Sequence, residues 1–568
     1  MLLRRIILIG TLSLTFITGH TQVSVQTGSA VFSLPMFNWQ DDKSRLNAVV
    51  ALNYNSGNGL RVNDVASNVG QGWNLIAGGS ITRMQVGEPD DQPAFAGIGN
   101  HSDQDITKYP AGFLYALTPP AQGCPLALAK YPIYGSMNTL YTQHNTTAED
   151  KQLDYFSFQF NGKSGMFVLD GQDGDIGVPL GDTKLKITFQ RDPTMTSQGI
   201  RTTITSFTIT DVDGFIYKFA RHGLTKILKS SFSDANGTAP QTQPKIGNGG
   251  IYHQAGFDLG PTAYPWTNSQ LAYPFIIGSW YLTEVDDPLT ARKILYNYAY
   301  TRNINSTAGA DIIYNNSLDK YVVLSHKTSV TQTPALSSVV YPDGHTVTLN
   351  YSAVNRFDLV GDVPLASVDI TYLDRGQTRY LSEYQLNTTY FIKNRYGTPN
   401  SPYQTSMARL CLKSVRKISP DLKEDNPPYI FDYYMGSSNA DDYIPPPFFY
   451  AKDVWGYYNG SNSVDFYSTA INLNNTLNQL TFYQLEGLCF LNNSTPGQVY
   501  LNPKANYAQN GLLKQIVYPT GGSLTYTYAQ NNGTMIGASG PTNVGGVHVA
   551  TTSVADGGFS NGCSNPVI

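Results

Sequence analysis

The sequence is poor in charged residues. Asp, Glu, Lys and Arg make up 14% of the 568 residues, against roughly 25% in an average soluble domain. Lys and Arg are dispersed, and the formal net charge is −4. Nothing in this distribution resembles the basic surfaces that bind nucleic acid or anionic membranes. Surface polarity must instead come from uncharged residues, among them an unusually large number of tyrosines.

The sequence is also poor in cysteine. Its four cysteines, Cys124, Cys411, Cys489 and Cys563, are too sparse for a scaffold held together by disulfides. They could form disulfides in three full pairings if the protein is exported, or they could serve as small buried hydrophobic groups. Because there is no CxxC pair and no cluster of His and Cys, we predict no metal site and no cofactor.

Long apolar runs are missing from the sequence after its first residues. Arg4 and Arg5 precede the apolar run Ile6–Ile17, and the polar stretch Thr18–Thr21 follows it. The run is shorter than the roughly 20 residues of a transmembrane helix, and the pattern is typical of a signal peptide cleaved before Gln22. We therefore expect a secreted or cell-surface protein with no transmembrane segment.

The sequence is rich in Tyr, Gly and Pro, with 39, 52 and 32 residues respectively. Aromatic residues alternate with polar ones in short runs, and turn dipeptides such as Asn-Gly and Asp-Gly separate the runs, which indicates β-hairpins. The predicted hairpins are Leu153–Asp170, Phe207–Phe219, Trp280–Tyr300, Val339–Tyr351, Ser367–Tyr390, Leu410–Tyr434 and Leu513–Tyr528.

These hairpins predict an all-β fold of antiparallel hairpin-rich curved sheets in several modules, with very little helix. Their irregular spacing argues against a propeller of fixed period and favours hairpins placed edge to edge. Short helices are predicted only at Ile471–Leu480 and Lys504–Asn510. The predicted segments are a signal peptide (1–21), an N-terminal β module (22–92), a loop-rich region with hairpins (93–230), a Pro/Gly-rich insertion (231–275), a hairpin sheet (276–435) and a C-terminal β region (436–568).

The stretch Tyr54–Arg83 combines many Gly, Asn and Ser residues with enough apolar side chains to pack. We interpret it as a strand, a compact glycine-bent loop and a second strand, with Trp73 filling the centre. The preceding strand pattern from Val23 is predicted to end at Pro35. Nothing in this stretch has the residues of a nucleophile, a metal cluster or a phosphate-binding loop.

Four blocks of this region occur in the order typical of a known family. The sequences TGSAVFSLPMF (Thr27–Phe37), LNYNSGNG (Leu52–Gly59), GQGWNL (Gly70–Leu75) and GGSITR (Gly78–Arg83) resemble the start of SpvB-type domains. Such domains open the B components of toxin complexes and many RHS/YD-repeat proteins. The resemblance implies a β-rich module at the front of a larger sheet structure.

The rest of the chain resembles the front part of RHS/YD-repeat-like proteins of the Bacteroidetes type. The matching motifs are Phe156–Asp170, Asp453–Gly460, Asn510–Tyr528 and Val544–Val549, although His548 stands where the family pattern has Arg. The resemblance implies a sheet that contributes to a casing. Family members continue into YD repeats and some into toxin domains, whereas this sequence ends at Ile568, so we expect either a truncated gene product or a short surface protein, without a toxin domain.

Potential catalytic and ligand-binding motifs have simpler structural interpretations. Gly162–Lys163–Ser164 resembles the end of a P-loop but lies in a predicted hairpin turn. Asp170, Asp173 and Asp175 do not have the spacing of a calcium-binding EF-hand loop. The pairs Asp90–Asp91, Asp286–Asp287 and Asp441–Asp442 are interpreted as turn acids. There is no HExxH motif, Gly537–Gly540 is not a nucleophile elbow, and no carboxylate pair indicates a glycosidase.

The sequence therefore predicts no catalytic, cofactor-binding or metal-binding residues, and we expect a non-enzymatic structural or interaction protein. Its partner would be another protein or the remainder of an RHS-type shell. The alternative is a carbohydrate-binding or adhesive surface protein, for which Trp455, Tyr457 and Tyr458 are the best candidate contacts, although aromatic residues at such positions more often pack in a core. An exported hydrolase is a more distant alternative.

Overall fold

The structure is a computed structural model of the whole chain. It describes residues 23–93, 95–96, 108–109, 112–116, 152–170, 175–181, 184–198, 200–231, 275–315, 320–356, 358–359, 361–391, 409–420, 426–435, 444, 452–453, 455–460, 503–534 and 541–556. The predicted signal peptide, Cys124, Cys489, Cys563, Asp173, Asp441–Asp442, the helix Ile471–Leu480 and nearly all of the insertion 231–275 lie outside these ranges.

The described residues are almost entirely β-structure, which confirms the predicted fold class. The first sheet, here called the N-terminal sheet, contains β1 (Val31–Gln40), β2 (Asn47–Asn55) and β3 (Trp73–Ile76) in that order. The prediction that the first strand ends at Pro35 is wrong. β1 continues past it through a register shift between Pro35 and Phe37, a place where a strand tolerates a residue without a backbone N–H.

After the N-terminal sheet, the chain passes into a second sheet. β4 (Gly79–Met84) pairs with later strands. It is followed by the short ribbon of β5 (Phe95–Ala96) and β6 (Lys108–Tyr109) and by the one-turn helix α1 (Phe113–Ala116). The predicted compact loop within Tyr54–Arg83 is therefore confirmed, and its end is the point where the chain changes sheets.

Eight strands form a closed ring, here called the ring. Besides β4 it contains β7 (Tyr155–Phe160), β8 (Lys163–Asp170), β9 (Ile176–Leu180), β10 (Lys186–Arg191), β11 (Ile204–Thr210), β12 (Ile216–Ser231) and β13 (Ile276–Asp287). A 3-10 helix, Pro193–Gln198, precedes β11. The ring closes where β13 pairs with β4, with Trp280 opposite Ile81 and the adjacent residues paired on each side.

The remaining strands form an antiparallel meander. It begins with β14, which pairs with β13 along the edge where β4 also pairs. The meander consists of β14 (Arg292–Asn315), β15 (Lys320–Val340), β16 (His345–Tyr351), β17 (Leu365–Asp374), β18 (Gln377–Tyr390), β19 (Leu410–Ile418), β20 (Tyr429–Tyr433), β21 (Leu513–Val517), β22 (Ser523–Thr534) and β23 (Pro541–Ala555). Each strand pairs with the next one. β15 additionally pairs with the end of β12, and the helix α2 (Ala505–Ala508) confirms the predicted short helix there.

The turn residues explain why the hairpins form where the sequence predicts them. Asn161 and Gly162, between β7 and β8, have φ of 43° and 73°, the left-handed pair required by a two-residue turn whose twist matches the strands. Asp211, at the β11–β12 turn, accepts N–H bonds from Asp213 and Phe215 through its side chain. An Asx bond of this kind stabilises the turn locally.

A repeated tyrosine contact holds several hairpins of the meander. In each case a tyrosine in the second strand donates its hydroxyl hydrogen bond to a backbone carbonyl in the first strand, and we call this contact the tyrosine clasp. The donor–acceptor pairs are Tyr298 and Leu282 at 2.7 Å, Tyr351 and Leu336 at 2.9 Å, Tyr433 and Leu412 at 2.6 Å, and Tyr528 and Leu513 at 2.9 Å. Tyrosines at or near the ends of four predicted hairpins therefore have a structural role.

A continuous hydrophobic core runs through the ring and under the meander. In the ring, the alternating sequence of β7 directs Phe156, Phe158 and Phe160 inward. In the meander, the N-terminal sheet supplies the other side of the core, where Phe32 contacts Phe431 with ring centroids 6.2 Å apart. The first strands of the chain are therefore packed against its last hairpins.

Candidate functional site

The centre of Tyr54–Arg83 is filled by Trp73, which is 1% exposed. Its indole Nε1 donates to the hydroxyl of Tyr433 over 2.8 Å, and its ring lies 4.5 Å from that of Phe431. A side chain at Gly72 would approach Tyr54 to 2.6 Å. The prediction that Trp73 fills the loop is confirmed, and this packed geometry leaves no room for a substrate beside the indole.

The loop before Trp73 is fastened by a buried arginine that the sequence analysis did not identify. Arg409 donates to the carbonyl oxygens of Asp64 and Val62. Burial lowers its pKa to about 10, so the guanidinium remains charged at neutral pH. Because its partners are carbonyls of the loop, Arg409 positions the N-terminal sheet on β19.

A second buried arginine sits beside the same loop. Arg356 donates to Asp358 and to Asp362, each over 2.7 Å, and to the carbonyl of Ser67 over 3.0 Å. Asp358 in turn accepts the N–H of Leu410 over 2.8 Å. This cluster joins the β16–β17 connection, the N-terminal loop and β19, and its acids are occupied by structural partners.

Four of the motifs that carry the family resemblance meet at one place, here called the junction. Its members are Gly28, Asn58, Gly59, Trp455, Tyr457, Gly545, Gly546, Val547 and His548. Val547 donates its N–H to Asn58 over 2.6 Å, and Val549 donates to Gly28 over 2.7 Å. Distant parts of the sequence thus tie the start of the chain to β23.

The glycines of the junction are needed for close packing. A side chain at Gly28 would meet His548 at 2.9 Å, one at Gly545 would meet Trp455 at 2.6 Å, and one at Gly59 would approach Tyr457 to 3.1 Å. The departure of His548 from the family pattern is accommodated, because its ring bonds to Asn531 over 3.0 Å. The motif residues therefore build a joint between segments.

The predicted carbohydrate contacts do not form an exposed aromatic platform. Tyr457 is 6% exposed and Tyr458 is 0% exposed, and only Trp455 is half-buried. Asp453 shapes their turn by accepting N–H bonds from Trp455 and Tyr457, each over 2.9 Å, and burial raises its pKa to about 6. The structural interpretation of these aromatic residues is therefore confirmed, and polysaccharide binding is not supported.

A buried charged cluster lies where the connection between β4 and β7 leaves and re-enters the ring; we call it the neck. Arg83 donates to Asp91 over 2.6 Å and lies 3.6 Å from Asp154. Its guanidinium also stands 5.3 Å from the ring centres of Phe156 and Trp280. The interpretation of Asp90 and Asp91 as solvated turn acids is wrong, since both are 0% exposed.

The neck could have been suspected from the alternation of β4. Ile81 and Arg83 have the same parity, so a strand that buries Ile81 must bury Arg83 as well. A buried arginine needs acidic partners. The sequence does not say which ones, because Asp91 and Asp154 are far apart along the chain and only the return of β7 brings them together.

The other predicted site residues have local structural roles. Lys163, in the P-loop-like tripeptide, lies in the β7–β8 hairpin and forms an ion pair with Asp211 at 3.2 Å. Asp175 pairs with Arg191 at 2.7 Å. Asp287, interpreted as a turn acid, is buried at 1% exposure but does accept turn hydrogen bonds from Leu289 and Thr290.

A shallow groove of about 350 Å³ crosses the outer face of β4, β7 and β8. Its lining is Ser80, Thr82, Ser157, Phe158, Gln159, Ser164, Gly165 and Met166, which includes no titratable side chain for acid–base chemistry. Within the described ranges, no group of three or more His, Cys, Asp or Glu could hold a metal ion, and no helix there is long and apolar enough to cross a membrane.

Comparison with known proteins gives only a coarse likeness. No family model and no curated protein matches the chain. The crystal structure of TcdB2-TccC3 is similar with a TM-score of 0.34 and 13% identity, covering 73% of this chain and 16% of that one. The N-terminal domain of the effector protein SpvB from Salmonella typhimurium has a TM-score of 0.26 and 13% identity, covering 68% of this chain and 98% of that one.

A porin-like protein from Bacteroides uniformis is also similar, with a TM-score of 0.16 and 9% identity, over 50% of this chain and 79% of that one. The chain spans about a sixth of the TcdB2-TccC3 chain.

Proposed function

We propose that the protein is an exported, non-enzymatic scaffold whose hairpin sheet associates with a protein partner or with the remaining part of an RHS/YD-type shell. The observation that carries this proposal is the junction. Motif residues from the start and the end of the chain meet there, and their glycines, rings and backbone groups are used in packing one segment on another. Residues that bind a small ligand would instead converge on an open pocket.

The meander supplies a surface for such an association. One edge of β23 pairs with β22. The first half of the other edge is covered by the hydrogen bonds from Val547 and Val549 to the N-terminal segment. Residues 551–556 are exposed. A strand edge offers N–H and C=O groups to a further strand, which is how extended polypeptides add to sheets.

The proposal is tested by sedimentation velocity of the mature protein over a range of concentrations. Proline variants at Thr552 and at Ser553 form a matched pair, because consecutive N–H groups of a strand point to opposite edges. In one of the two variants, proline removes an N–H group on the outer edge of β23. In the other variant, it removes an N–H group that bonds to β22. We expect the outward variant to abolish association while leaving thermal unfolding unchanged.

The alternative, carbohydrate binding, is tested by pull-down with polysaccharides. Saturable binding that Trp455→Ala abolishes, together with sedimentation as a monomer at every concentration, would overturn the scaffold proposal. Export is a separate part of the proposal, since it rests on the sequence pattern of residues 1–21. Mass spectrometry of the protein recovered outside the cytoplasm should find Gln22 at the N-terminus.

A further inference from the structure

The neck contains more carboxylates than cations. Asp90, Asp91 and Asp154 are each 0% exposed, and Arg83 is the guanidinium placed among them. The nearby Arg201 pairs with Glu88 over 2.9 Å. If all three acids of the neck were ionised, two negative charges would remain uncompensated in a site without solvent, which is unfavourable. Charge balance therefore points to a proton in the neck.

The hydrogen bonds indicate which acid takes the proton. Asp91 is bound by Arg83 and by the N–H groups of Thr203 and Ile204, so its charge is well stabilised. Asp154 accepts N–H bonds from Val86 and from Asp90 and also faces Arg83.

Asp90 is the least stabilised acid of the three. Its carboxyl accepts the N–H of Asp154 over 3.1 Å, whereas Arg83 donates its hydrogen bond to Asp91 and lies 3.6 Å from Asp154. Burial and the charge of Asp154 raise the pKa of Asp90 to about 8, and burial also raises the pKa of Asp154. These contacts make Asp90 the acid of the neck on which a proton is most favourable.

Asp90 and Asp154 also connect the two ends of the long β4–β7 connection. Each donates its backbone N–H to the carboxyl group of the other, over 3.1 Å in both directions. The carbonyl of Asp90 accepts the N–H of Leu114, which lies in α1. Gly112 fits so closely here that a side chain would overlap the carbonyl of Pro89. Repulsion between the two carboxylates would therefore act where the connection is fastened.

We propose that Asp90 is a proton-operated latch that keeps the neck closed while it is protonated and releases residues 85–92 and 112–116 from the ring when it ionises. The charged groups that act on it are Asp154 before β7, Arg83 on β4 and Asp91 in the same loop, and the pair of Arg201 with Glu88 lies nearby. The latch is independent of the proposed scaffold function, because it lies in the ring and not at β23.

The sign of the pH effect follows from proton linkage. The ordinary pKa of Asp90 is 3.8, and in the folded neck it is about 8, so the folded state binds one more proton between these values. The stabilisation by the latch is complete below about pH 4 and is lost as the pH rises through about 8. The neck is therefore closed in acid and loosened in alkali.

Hydrogen–deuterium exchange of the full mature protein tests the latch. Exchange rates of peptides covering 85–92 and 112–116 are compared at about pH 6 and about pH 9 after division by the intrinsic rate at each pH. We expect protection to fall about tenfold in this interval, since about a tenth of the carboxyl stays protonated one unit above its pKa. Peptides from β17 should keep their protection.

Two variants make the test specific. Asp90→Asn keeps a neutral acceptor for Asp154 and should hold protection constant with pH. Asp154→Asn removes the opposing charge and should reduce the pH response if the first variant does not fold. Asp287→Asn, which alters a buried acid at a different turn, should respond as the wild type does. Equal protection of the wild type at both pH values, or a wild-type response in both neck variants, would overturn the latch.

Discussion

The ring and the meander solve the same problem, the burial of one sheet face, with different aromatic residues. The ring closes on itself and fills its interior with phenylalanine, for example Phe160 and Phe219 with ring centres 5.4 Å apart. The meander is covered by the N-terminal sheet and uses tyrosines whose hydroxyls reach backbone carbonyls, as Tyr298 and Tyr433 do. Closure of the sheet holds the strands of the ring together, as the tyrosine clasps do in the open sheet.

The difference has a physical reason. Inside the ring a buried hydroxyl needs a partner of its own, and Tyr217 on β12 has one in the side chain of Asp211 over 3.2 Å. Along the meander the strands have register shifts, as beside Tyr298 and Tyr433, and the hydroxyls of these tyrosines reach the carbonyls of Leu282 on β13 and of Leu412. Tyrosine is therefore suited to the ends of hairpins, and phenylalanine to the interior of the ring.

The largest effect is expected from Trp73→Ala, which empties the contact between the N-terminal sheet and the meander. The loss should be about 3–5 kcal/mol of unfolding free energy, the range for removal of a large buried aromatic side chain. Chemical denaturation followed by circular dichroism measures it, and Trp73→Phe should lose less. A variant that melts within about a degree of the wild type would contradict the burial argument.

Next in size, Phe219→Tyr tests whether the ring interior tolerates a hydroxyl at this position, as it does at Tyr217, whose hydroxyl bonds to Asp211. The added atom must be packed into a site that is 0% exposed, at about 1–3 kcal/mol, and an unpaired hydroxyl adds about the same again. Urea unfolding is the measurement. If Phe219→Tyr is as stable as the wild type, the interior of the ring holds an acceptor for the hydroxyl and the comparison fails.

In the meander, Tyr433→Phe removes a hydroxyl that both accepts from Trp73 and donates to Leu412. The indole N–H is left buried and unpaired, so we expect a loss of about 1–3 kcal/mol. The double variant Trp73→Phe with Tyr433→Phe should be more stable than the sum of the single losses predicts, because it removes donor and acceptor together. Strict additivity would mean that the two groups do not interact.

The smallest effect is expected from Tyr298→Phe, which removes a single clasp. The net value of one hydrogen bond, about 1 kcal/mol, should be lost. Tyr380 is a suitable control, since it is 40% exposed and its contact to Ile418 is long, at 3.4 Å. Tyr380→Phe should leave the denaturation midpoint unchanged, and an equal loss in both variants would show that the clasp has no special role.

Local patterns predicted the strands and turns well. Dipeptides such as Asn161–Gly162 force left-handed backbone, and alternation decides which side chains are buried, so the hairpins were predictable from a few neighbouring residues. The extension of β1 beyond Pro35 was missed because a bulge can absorb a proline. Asp90 and Asp91 were misassigned because burial of a turn depends on what packs over it.

The sequence by itself determined the hairpins, the central position of Trp73 and the close packing around its glycines, because these depend on backbone conformation and on alternation along a single strand. Only the tertiary structure decided that β13 meets β4 and closes the ring, that Gly28 lies against His548, and that Asp90 faces Asp154. These contacts join residues far apart in the chain. Their geometry depends on strand order and register, which local sequence patterns do not encode.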